Sequence, residues 1–276
     1  MMKKFEGQII ITDLDGTFLG KGASIVERNV KAVEYFKENG GFFTFATGRA
    51  FMNLRVAIPN AEDYVNAPII TANGTALYDA VSDVQSDFIT LNADEATEAV
   101  NYVLENYPGM NIRMTGREGF YVRDLNLREK KLFSRVDPRY LHVMPMAEWP
   151  KDTWLKCVFV GEEDEITRLR YDLPERFPQF EYAFSGKHIF EFQKKGVTKG
   201  TAVKRFKAMF EEKYGRPFTV YCVGDYGNDL DMLRSADVAV CPDNALDEVK
   251  AEADYVLCNH NDGVIGDLVE LIESKL

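Results

Sequence analysis

The sequence predicts an α/β fold, in which a parallel sheet with helices on both faces is interrupted by an inserted α+β domain. In the first third of the chain, short apolar runs alternate with amphipathic segments, as expected for βαβ units. The middle of the chain is richer in strand-like segments, and the last third returns to the first pattern. We therefore expect a core formed by residues 1–81 and 190–276, and an insert formed by residues 82–189.

The first third is predicted to contain three buried strands and one long helix. Apolar runs typical of strands in a parallel sheet occupy Gln8–Thr12, Phe42–Ala46 and Pro68–Ala72. Ser24 is followed three residues later by Glu27, which is the pattern of a capping box. This pattern predicts that a helix begins here and ends near Gly40, a residue that suits a helix C-terminus.

The middle of the chain is predicted to form an α+β layer. Segments with strand-like composition lie at Phe88–Leu91, Asn111–Thr115, Gly119–Arg123, Trp154–Val160, Phe180–Phe184 and His188–Gln193. Asp94–Tyr107 and Glu163–Phe177 have helical periodicity. Two helices among several strands, some of them close enough to form hairpins, indicate a mixed or antiparallel sheet.

The last third again alternates helices with strands. A helix is predicted at Lys199–Tyr214, and the apolar strand Phe218–Val223 follows it. Further predicted strands at Val238–Val240 and Tyr255–Leu257 alternate with helices near Leu246–Glu252 and Val264–Ser274. These elements complete the predicted core.

The composition excludes several classes of function. The 276 residues include 33 Lys and Arg against 44 Asp and Glu, a net charge of −11, which argues against a nucleic-acid partner. No apolar run approaches the roughly 20 residues of a membrane span, and the N-terminus lacks the apolar region of a signal peptide. The cysteines lack zinc-site spacing. We expect a cytoplasmic protein with no membrane partner, and no oligomeric state is indicated.

Acidic residues follow two of the predicted core strands at their carboxyl ends. Asp13 and Asp15 follow the first strand, and Asp225 and Asp229 follow Phe218–Val223. In an open α/β sheet these ends meet at the edge where ligands bind. Carboxylates gathered at one edge repel one another unless a cation neutralises them. The pattern therefore predicts a hard divalent cation, most plausibly Mg²⁺.

Two further residues could bind an anion near the same edge. Thr47 follows the strand Phe42–Ala46 and precedes a glycine whose N–H can approach an anion closely. Lys199 lies at a predicted helix start, a position that favours anions and is slightly unfavourable for a lysine. Pairing with a carboxylate and a phosphate would explain this lysine, and the alternative is a solvated surface side chain.

These residues resemble the motifs of the haloacid dehalogenase (HAD) superfamily. Asp13-Leu14-Asp15-Gly16-Thr17 is similar to its DxDGT motif, and Thr47-Gly48-Arg49 is similar to its second motif. Lys199 resembles the third motif, and Asp225 with Asp229 resembles the fourth. Their order and spacing resemble the Cof-type subfamily, which implies a Rossmann-like core with a large C2-type α+β cap inserted between the second and third motifs.

Two positions depart from the Cof-type pattern. Cys241–Ala245 replaces a shorter Met-Gly-Asn-Ala turn, so contacts near Asn244 do not carry over from the family. Tyr226 occupies a position where the family often has a small residue.

The resemblance implies a Mg²⁺-dependent phosphatase acting on small phosphorylated metabolites, with sugar phosphates as the leading class. The implied nucleophile is Asp13, which forms an aspartyl-phosphate, and the implied general acid and base is Asp15. The implied Mg²⁺ ligands are the Asp13 carboxylate, the backbone carbonyl of Asp15, and Asp225. Thr47 and Lys199 complete the implied catalytic set. The implied phosphate-binding groups are Leu14, Thr47, Gly48, Lys199 and Asn228, with Asp229 and Arg49 in supporting positions.

Two alternatives remain open from the sequence. A phosphomutase would use the same phospho-aspartate and return the group to a sugar, so that free phosphate is not released. A receiver-like phospho-acceptor or a catalytically silent sugar-phosphate sensor would also gather acids around Mg²⁺. For contacts to the leaving group, the insert offers polar side chains around Arg113, Arg117, Tyr121, Arg123 and His188.

Overall fold

The fold was determined as a computed structural model, which describes residues 3–125 and 127–276. The strands, numbered in chain order, are β1 Gln8–Thr12, β2 Leu19–Gly20, β3 Ser24–Ile25, β4 Phe42–Phe45, β5 Ile69–Thr71, β6 Ala76–Asp79, β7 Val84–Ser86, β8 Asn111–Gly116, β9 Phe120–Val122, β10 Leu141–Val143, β11 Trp154–Val160, β12 Phe180–Gly186, β13 Ile189–Lys194, β14 Thr219–Val223, β15 Val238–Pro242 and β16 Tyr255–Leu257. The α-helices are α1 Glu27–Glu38, α2 Phe51–Ala57, α3 Ala61–Tyr64, α4 Ala93–Asn106, α5 Leu127–Phe133, α6 Glu163–Arg176, α7 Lys199–Tyr214, α8 Leu230–Arg234, α9 Asp247–Lys250 and α10 Val264–Ser274.

The chain divides into two compact units. Unit 1 comprises Met1–Gly48, Ala57–Ser86 and Thr198–Leu276, and unit 2 comprises Arg49–Val56 and Asp87–Val197. These two units do not coincide with the predicted core and insert, because Arg49–Val56, which was predicted to be part of the core, groups with unit 2. The predicted domain bounds stay a prediction.

Unit 1 is built on a five-stranded parallel sheet with the order β16-β15-β14-β1-β4. The interior strand β1 is buried from Ile9 onward, and it pairs with β14 on one side and β4 on the other. One face of the sheet packs against α7 and α8 in an apolar cluster that includes Ile9, Ile11 and Phe206. On the other side, α1 and α10 pack on each other and on the sheet. The α/β fold with a parallel-sheet core is therefore confirmed.

Unit 2 contains a six-stranded sheet with the order β10-β9-β8-β11-β13-β12. Its pairs are antiparallel apart from β9 with β10. One face carries apolar residues of β8, β9, β11, β12 and β13, such as Met114, Phe159 and Phe192, which pack with α4 and α6 in a second apolar cluster. The expected mixed sheet with two covering helices is thus present.

Two local predictions were wrong. Ser24 does not cap a helix: it lies in β3, which pairs with β2, and α1 begins at Glu27 after Val26 with no side-chain cap. Hairpin pairing satisfies the backbone of Ser24, so the capping box is not formed. Phe88–Leu91 is not a strand, and the nearby strand is Val84–Ser86, which extends the β5-β6 hairpin. Among the described residues, no helix combines the length and the apolar character that a membrane span requires.

Candidate active site at the carboxyl edge of the parallel sheet

Asp13 lies at the carboxyl end of β1 because the parallel pairing continues by one residue. Its N–H donates to the carbonyl of Val223 at 2.8 Å, and the N–H of Ala46 donates to the carbonyl of Thr12 at 2.9 Å. The second bond continues the pairing of β1 with β4, so Thr47 follows β4 at the same edge of the sheet as Asp13. The Asp13 side chain is buried, with 7% of its surface exposed. Asp15, two residues later, is exposed.

Lys199 is a buried cation between two carboxylates. It begins α7, where the side chain of Thr198 caps the helix by accepting the N–H of Thr201. The Lys199 Nζ lies 2.5 Å from Asp13 Oδ1 and 2.6 Å from Asp229 Oδ1. Burial opposes the charge, but the two carboxylates outweigh burial and raise the pKa of Lys199 above its usual value. The alternative of a solvated surface lysine is therefore excluded.

Both carboxylate oxygens of Asp229 are engaged by other groups of unit 1. Its Oδ1 pairs with Lys199, and its Oδ2 accepts the backbone N–H groups of Asp225 and Tyr226 at 3.0 and 3.1 Å. Gly224 makes this close arrangement possible, since a Cβ at that position would lie 2.5 Å from the Cβ of Asp229. Asp229 thereby fixes both the lysine and the loop that carries Asp225.

The loops after β1 and β14 meet at Asp225. The Thr17 hydroxyl donates to Asp225 Oδ1 at 2.7 Å. Gly16 has a φ of +82°, and a Cβ there would lie 2.5 Å from Asp225 Oδ2, so only glycine fits at this position. Burial, followed by repulsion from Asp229, raises the pKa of Asp225 to about 6, against the opposing effect of the Thr17 hydrogen bond.

The carboxylates form an oxygen-rich cluster of like charge. Ligand oxygens of Asp13, Asp225 and Asp229 lie within 4.8 Å of one another. The pKa of Asp13 is raised well above its usual range, first by burial and then by the neighbouring acids, while Lys199 opposes this shift. Hard carboxylate oxygens held this close match the donor set that Mg²⁺ prefers. The residues present therefore fit a divalent cation, which would relieve their mutual repulsion.

Thr47 and Gly48 are held by the neighbouring β5 hairpin. The N–H of Thr47 donates to the carbonyl of Ile70 at 2.9 Å, and the N–H of Asn73 donates to the carbonyl of Thr47 at 3.0 Å. A Cβ on Gly48 would lie 2.9 Å from Asn73 Oδ1. Thr47 is buried, and its role in binding phosphate stays a prediction.

The remaining predicted site residues are Leu14, Asn228 and Arg49. Leu14 is fully buried and its carbonyl accepts the N–H of Leu19, while Asn228 lies half-buried in the turn before α8. Arg49 groups with unit 2, where its Nη1 donates to the carbonyl of Asn53 at 3.4 Å. Its supporting role stays a prediction.

Sequence reasoning missed two residues that hold the segment of residues 13–19 after β1. Asn244 Nδ2 donates to the carbonyl of Gly16 at 2.8 Å, and its Oδ1 accepts the N–H of His260 at 2.9 Å. His260 Nδ1 lies 2.7 Å from the carbonyl of Leu19, to which it donates. Asn244 lies in the segment that departs from the family pattern, so its contact was not expected. No sequence signal pointed to His260.

Comparison with known proteins gives relatives along almost the whole chain. A family model described as haloacid dehalogenase-like hydrolase matches residues 10–268. The 5-amino-6-(5-phospho-D-ribitylamino)uracil phosphatase YcsE of Bacillus subtilis is 27% identical over 261 residues, covering 93% of this chain and 92% of that protein. The HMP-PP phosphatase of Yersinia enterocolitica is 25% identical over 243 residues, covering 87% of this chain and 85% of that protein.

The solved structures agree on the fold. The solved structure of BT4131, which is described as a HAD subclass IIB sugar phosphatase, matches this fold with a TM-score of 0.78 at 21% identity. The match covers 96% of this chain and 98% of that one. Because the family match extends over nearly the full sequence and the fold agrees with it, the chain belongs to the haloacid dehalogenase-like hydrolases, and within them to the Cof type.

Proposed function

We propose that the protein is a Mg²⁺-dependent phosphatase that hydrolyses small phosphorylated metabolites through an aspartyl-phosphate on Asp13. The observation that carries the proposal is the buried Lys199, which bridges Asp13 and Asp229 at 2.5 and 2.6 Å beside the carboxylate of Asp225. A buried lysine and several carboxylates at the ligand-binding edge of a parallel sheet suit the handling of a phosphoryl group by charge neutralisation.

The proposed reaction has two steps. In the first, an Asp13 oxygen attacks phosphorus, the bond to the leaving oxygen breaks, and Asp15 donates a proton to that oxygen. In the second, Asp15 removes a proton from water, whose oxygen attacks phosphorus and releases inorganic phosphate from Asp13. The contrast in burial supports this division, since Asp13 is 7% exposed whereas Asp15 is exposed to the solvent from which the water comes.

Asp13, Asp225 and the backbone carbonyl of Asp15 would hold the Mg²⁺. When bound, the ion supplies charge neutralisation for the carboxylates and the phosphate oxygens. We assign Asp229 to positioning rather than to the metal, because its two oxygens already accept from Lys199 and from two backbone N–H groups.

The phosphoryl oxygens that neither form nor break a bond in the reaction need hydrogen-bond donors from the protein. We assign this binding to the Thr47 hydroxyl, the N–H groups of Leu14 and Gly48, the Asn228 side chain and Lys199, with Arg49 in support. The pairing of β4 with β1 supports the assignment of Thr47, because it brings the residues that follow β4 to the same edge of the sheet as Asp13.

The proposed substrates are sugar phosphates and related metabolites. The similar proteins support this class, since their names describe a phosphoribityl compound, HMP-PP and sugar phosphates as substrates. The net charge of −11 disfavours nucleic acids. We further propose that residues 82–189 act as the cap that selects the substrate, and that the protein is cytoplasmic.

The proposal is tested by measuring inorganic phosphate released from p-nitrophenyl phosphate and from a panel of sugar, polyol and carboxylated phosphates. Wild type would be assayed with Mg²⁺ and with EDTA, beside Asp243→Asn, which removes an exposed carboxylate outside the cluster. We expect release that requires Mg²⁺ and is unaffected by Asp243→Asn.

Two other results would contradict the proposal. Transfer of the phosphoryl group between sugar positions without free phosphate would identify a mutase. Mg²⁺ binding with neither release nor transfer would identify a sensor.

A further inference from the structure

The chain after β1 closes into a turn of residues 14–19, which carries Asp15. The N–H of Leu19 donates to the carbonyl of Leu14 at 2.9 Å, and the backbones of Asp15 and Leu19 form a single β-bridge. Gly16 supplies a φ of +82°, which lets the chain reverse directly after Asp15. The position of Asp15 therefore depends on Leu19, the residue at the far end of the turn.

Three backbone carbonyls of this turn accept hydrogen bonds from side chains that are distant in sequence but belong to unit 1. The contacts are Asn244 Nδ2 to the carbonyl of Gly16 at 2.8 Å, Asn29 Nδ2 to that of Phe18 at 2.9 Å, and His260 Nδ1 to that of Leu19 at 2.7 Å. A carbonyl that is removed from water and loses its donor is unfavourable, so each contact favours one conformation of the turn.

His260 takes part in two of these contacts. Its side chain binds the carbonyl of Leu19, and its backbone N–H donates to Asn244 Oδ1 at 2.9 Å, which orients the Asn244 amide so that Nδ2 faces Gly16. The next residue, Asn261, accepts the N–H of Lys21 at 2.7 Å. The segment around His260 thus holds the turn at Gly16 and at Leu19, and also holds the chain that follows it.

The contact between His260 and Leu19 requires a donor at Nδ1. A backbone carbonyl can only accept a hydrogen bond, so Nδ1 carries the proton. His260 is half-buried, whereas Leu19 is 1% exposed, so few water molecules can replace the imidazole as a donor to this carbonyl. A substitution that removes Nδ1 would therefore release the end of the turn that fixes Asp15.

We propose that His260 is a positioning residue for Asp15 and acts through the carbonyl of Leu19. A general acid must present its proton within hydrogen-bond distance of the leaving oxygen, and a displacement of about 1 Å can cost about 100-fold in rate. The contacts at Gly16 and Phe18 involve other side chains, so loss of the His260 contact shifts Asp15 without unfolding the turn. The inference rests on the phosphatase function proposed above.

The test measures kcat/KM for phenyl phosphate and p-nitrophenyl phosphate, which differ only in the leaving group. Phenolate needs a proton from Asp15 as it leaves, whereas nitrophenolate is a more stable anion and needs less help. His260→Ala removes the donor, and His260→Asn restores an amide N–H near the position of Nδ1. If His260→Ala does not fold, His260→Gln takes its place, because its amide lies one atom further along the side chain.

Asn66→Ala is the matched control. Asn66 also binds backbone groups through both of its amide atoms, but it does so at the opposite edge of the same sheet: its Oδ1 accepts the N–H of Phe43 at 2.8 Å, and its Nδ2 donates to the carbonyl of Gly41 at 3.0 Å. A double variant that combines His260→Ala with Asp15→Asn tests whether His260 acts through Asp15.

We expect His260→Ala to lose about 10- to 100-fold in kcat/KM for phenyl phosphate and less than about threefold for p-nitrophenyl phosphate. His260→Asn should recover most of the loss, and Asn66→Ala should change neither value by more than about twofold. In the Asp15→Asn protein, the addition of His260→Ala should cost less than about twofold, because the group that it positions is already inactive.

Equal losses on both substrates, no loss in His260→Ala, no recovery in His260→Asn, or the full loss repeated in the Asp15→Asn protein would each overturn the inference. Absence of phosphate release by the wild type, from these two compounds and from the panel of metabolites, would instead refute the phosphatase function itself.

Discussion

Replacing Asp225 by Asn should stabilise the metal-free protein. The folded structure raises the pKa of Asp225 to about 6, because the carboxylate is partly buried beside Asp229. A rise of about two pKa units corresponds to about 3 kcal/mol, at most, of free energy that opposes ionisation in the folded state. Asn has the same shape, removes the charge and can still accept the Thr17 hydroxyl, which donates at 2.7 Å. We expect a gain of about 1–3 kcal/mol near neutral pH, since residual solvent reduces the full value.

The pH dependence has a definite sign. Because the folded-state pKa lies above the unfolded-state value, protonated Asp225 is favoured in the folded protein, and its contribution to stability is complete below about pH 4. That contribution is lost as the pH rises to about 6. The advantage of Asp225→Asn should therefore be small at about pH 4 and below, reach about half of its full value near pH 5, and become constant above about pH 6–7.

The assay is thermal unfolding in EDTA, with each kcal/mol expected to shift Tm by about 2–4 °C in a chain of this size. Asp243→Asn is the matched control, because it removes an exposed carboxylate and should change stability by less than about 0.5 kcal/mol. Adding Mg²⁺ should give the wild type a higher Tm than Asp225→Asn, because the ion stabilises the wild type and binds the variant poorly. A lower Tm for Asp225→Asn in EDTA near neutral pH would refute the electrostatic reasoning.

Three other substitutions test separate parts of the site. Asp15→Asn should reduce kcat by about 10²–10⁴-fold for substrates with poor leaving groups, and near-wild-type rates would contradict its role as general acid and base. Lys199→Met should lower stability by about 3–5 kcal/mol, because it leaves Asp13 and Asp229 as buried charges without their cation, and unchanged chemical denaturation would argue against this ion pair. Asn244→Ala should lower kcat with little change in unfolding, because Asn244 holds the carbonyl of Gly16, and an unchanged kcat would remove it from the positioning groups.

Regular patterns made much of the fold predictable. The apolar runs at Gln8–Thr12 and Trp154–Val160 coincide with β1 and β11, because buried strands need continuous apolar residues or strict alternation. The predicted helix from Lys199 to Tyr214 has the bounds of α7. The capping box at Ser24 failed because pairing with the preceding short strand outweighs a local cap preference.

The candidate site residues that could be placed from the sequence are those that follow strand ends and Lys199, which begins a helix. Asp13, Thr47 and Asp225 lie at one edge because parallel pairing aligns β1, β4 and β14. The contacts of His260 depend on tertiary packing between segments far apart in sequence, so no local pattern indicated them. The alternation of polar and apolar residues in β8, β11 and β13 indicates that one face of their sheet is polar, but it does not show whether a residue on that face, such as Arg113, is buried or solvated.

The central claim, that Asp13 carries the phosphoryl group, is tested most directly by trapping the intermediate. The protein would be mixed with Mg²⁺ and its best substrate, quenched in acid during turnover, and reduced with borohydride, which converts an acyl phosphate to homoserine. Peptide mass spectrometry would then locate the modified residue in wild type and in Asp13→Asn. We expect homoserine at position 13 in the wild type, and neither modification nor phosphate release in the variant. Modification of another residue, or sustained phosphate release by Asp13→Asn, would contradict the proposed mechanism.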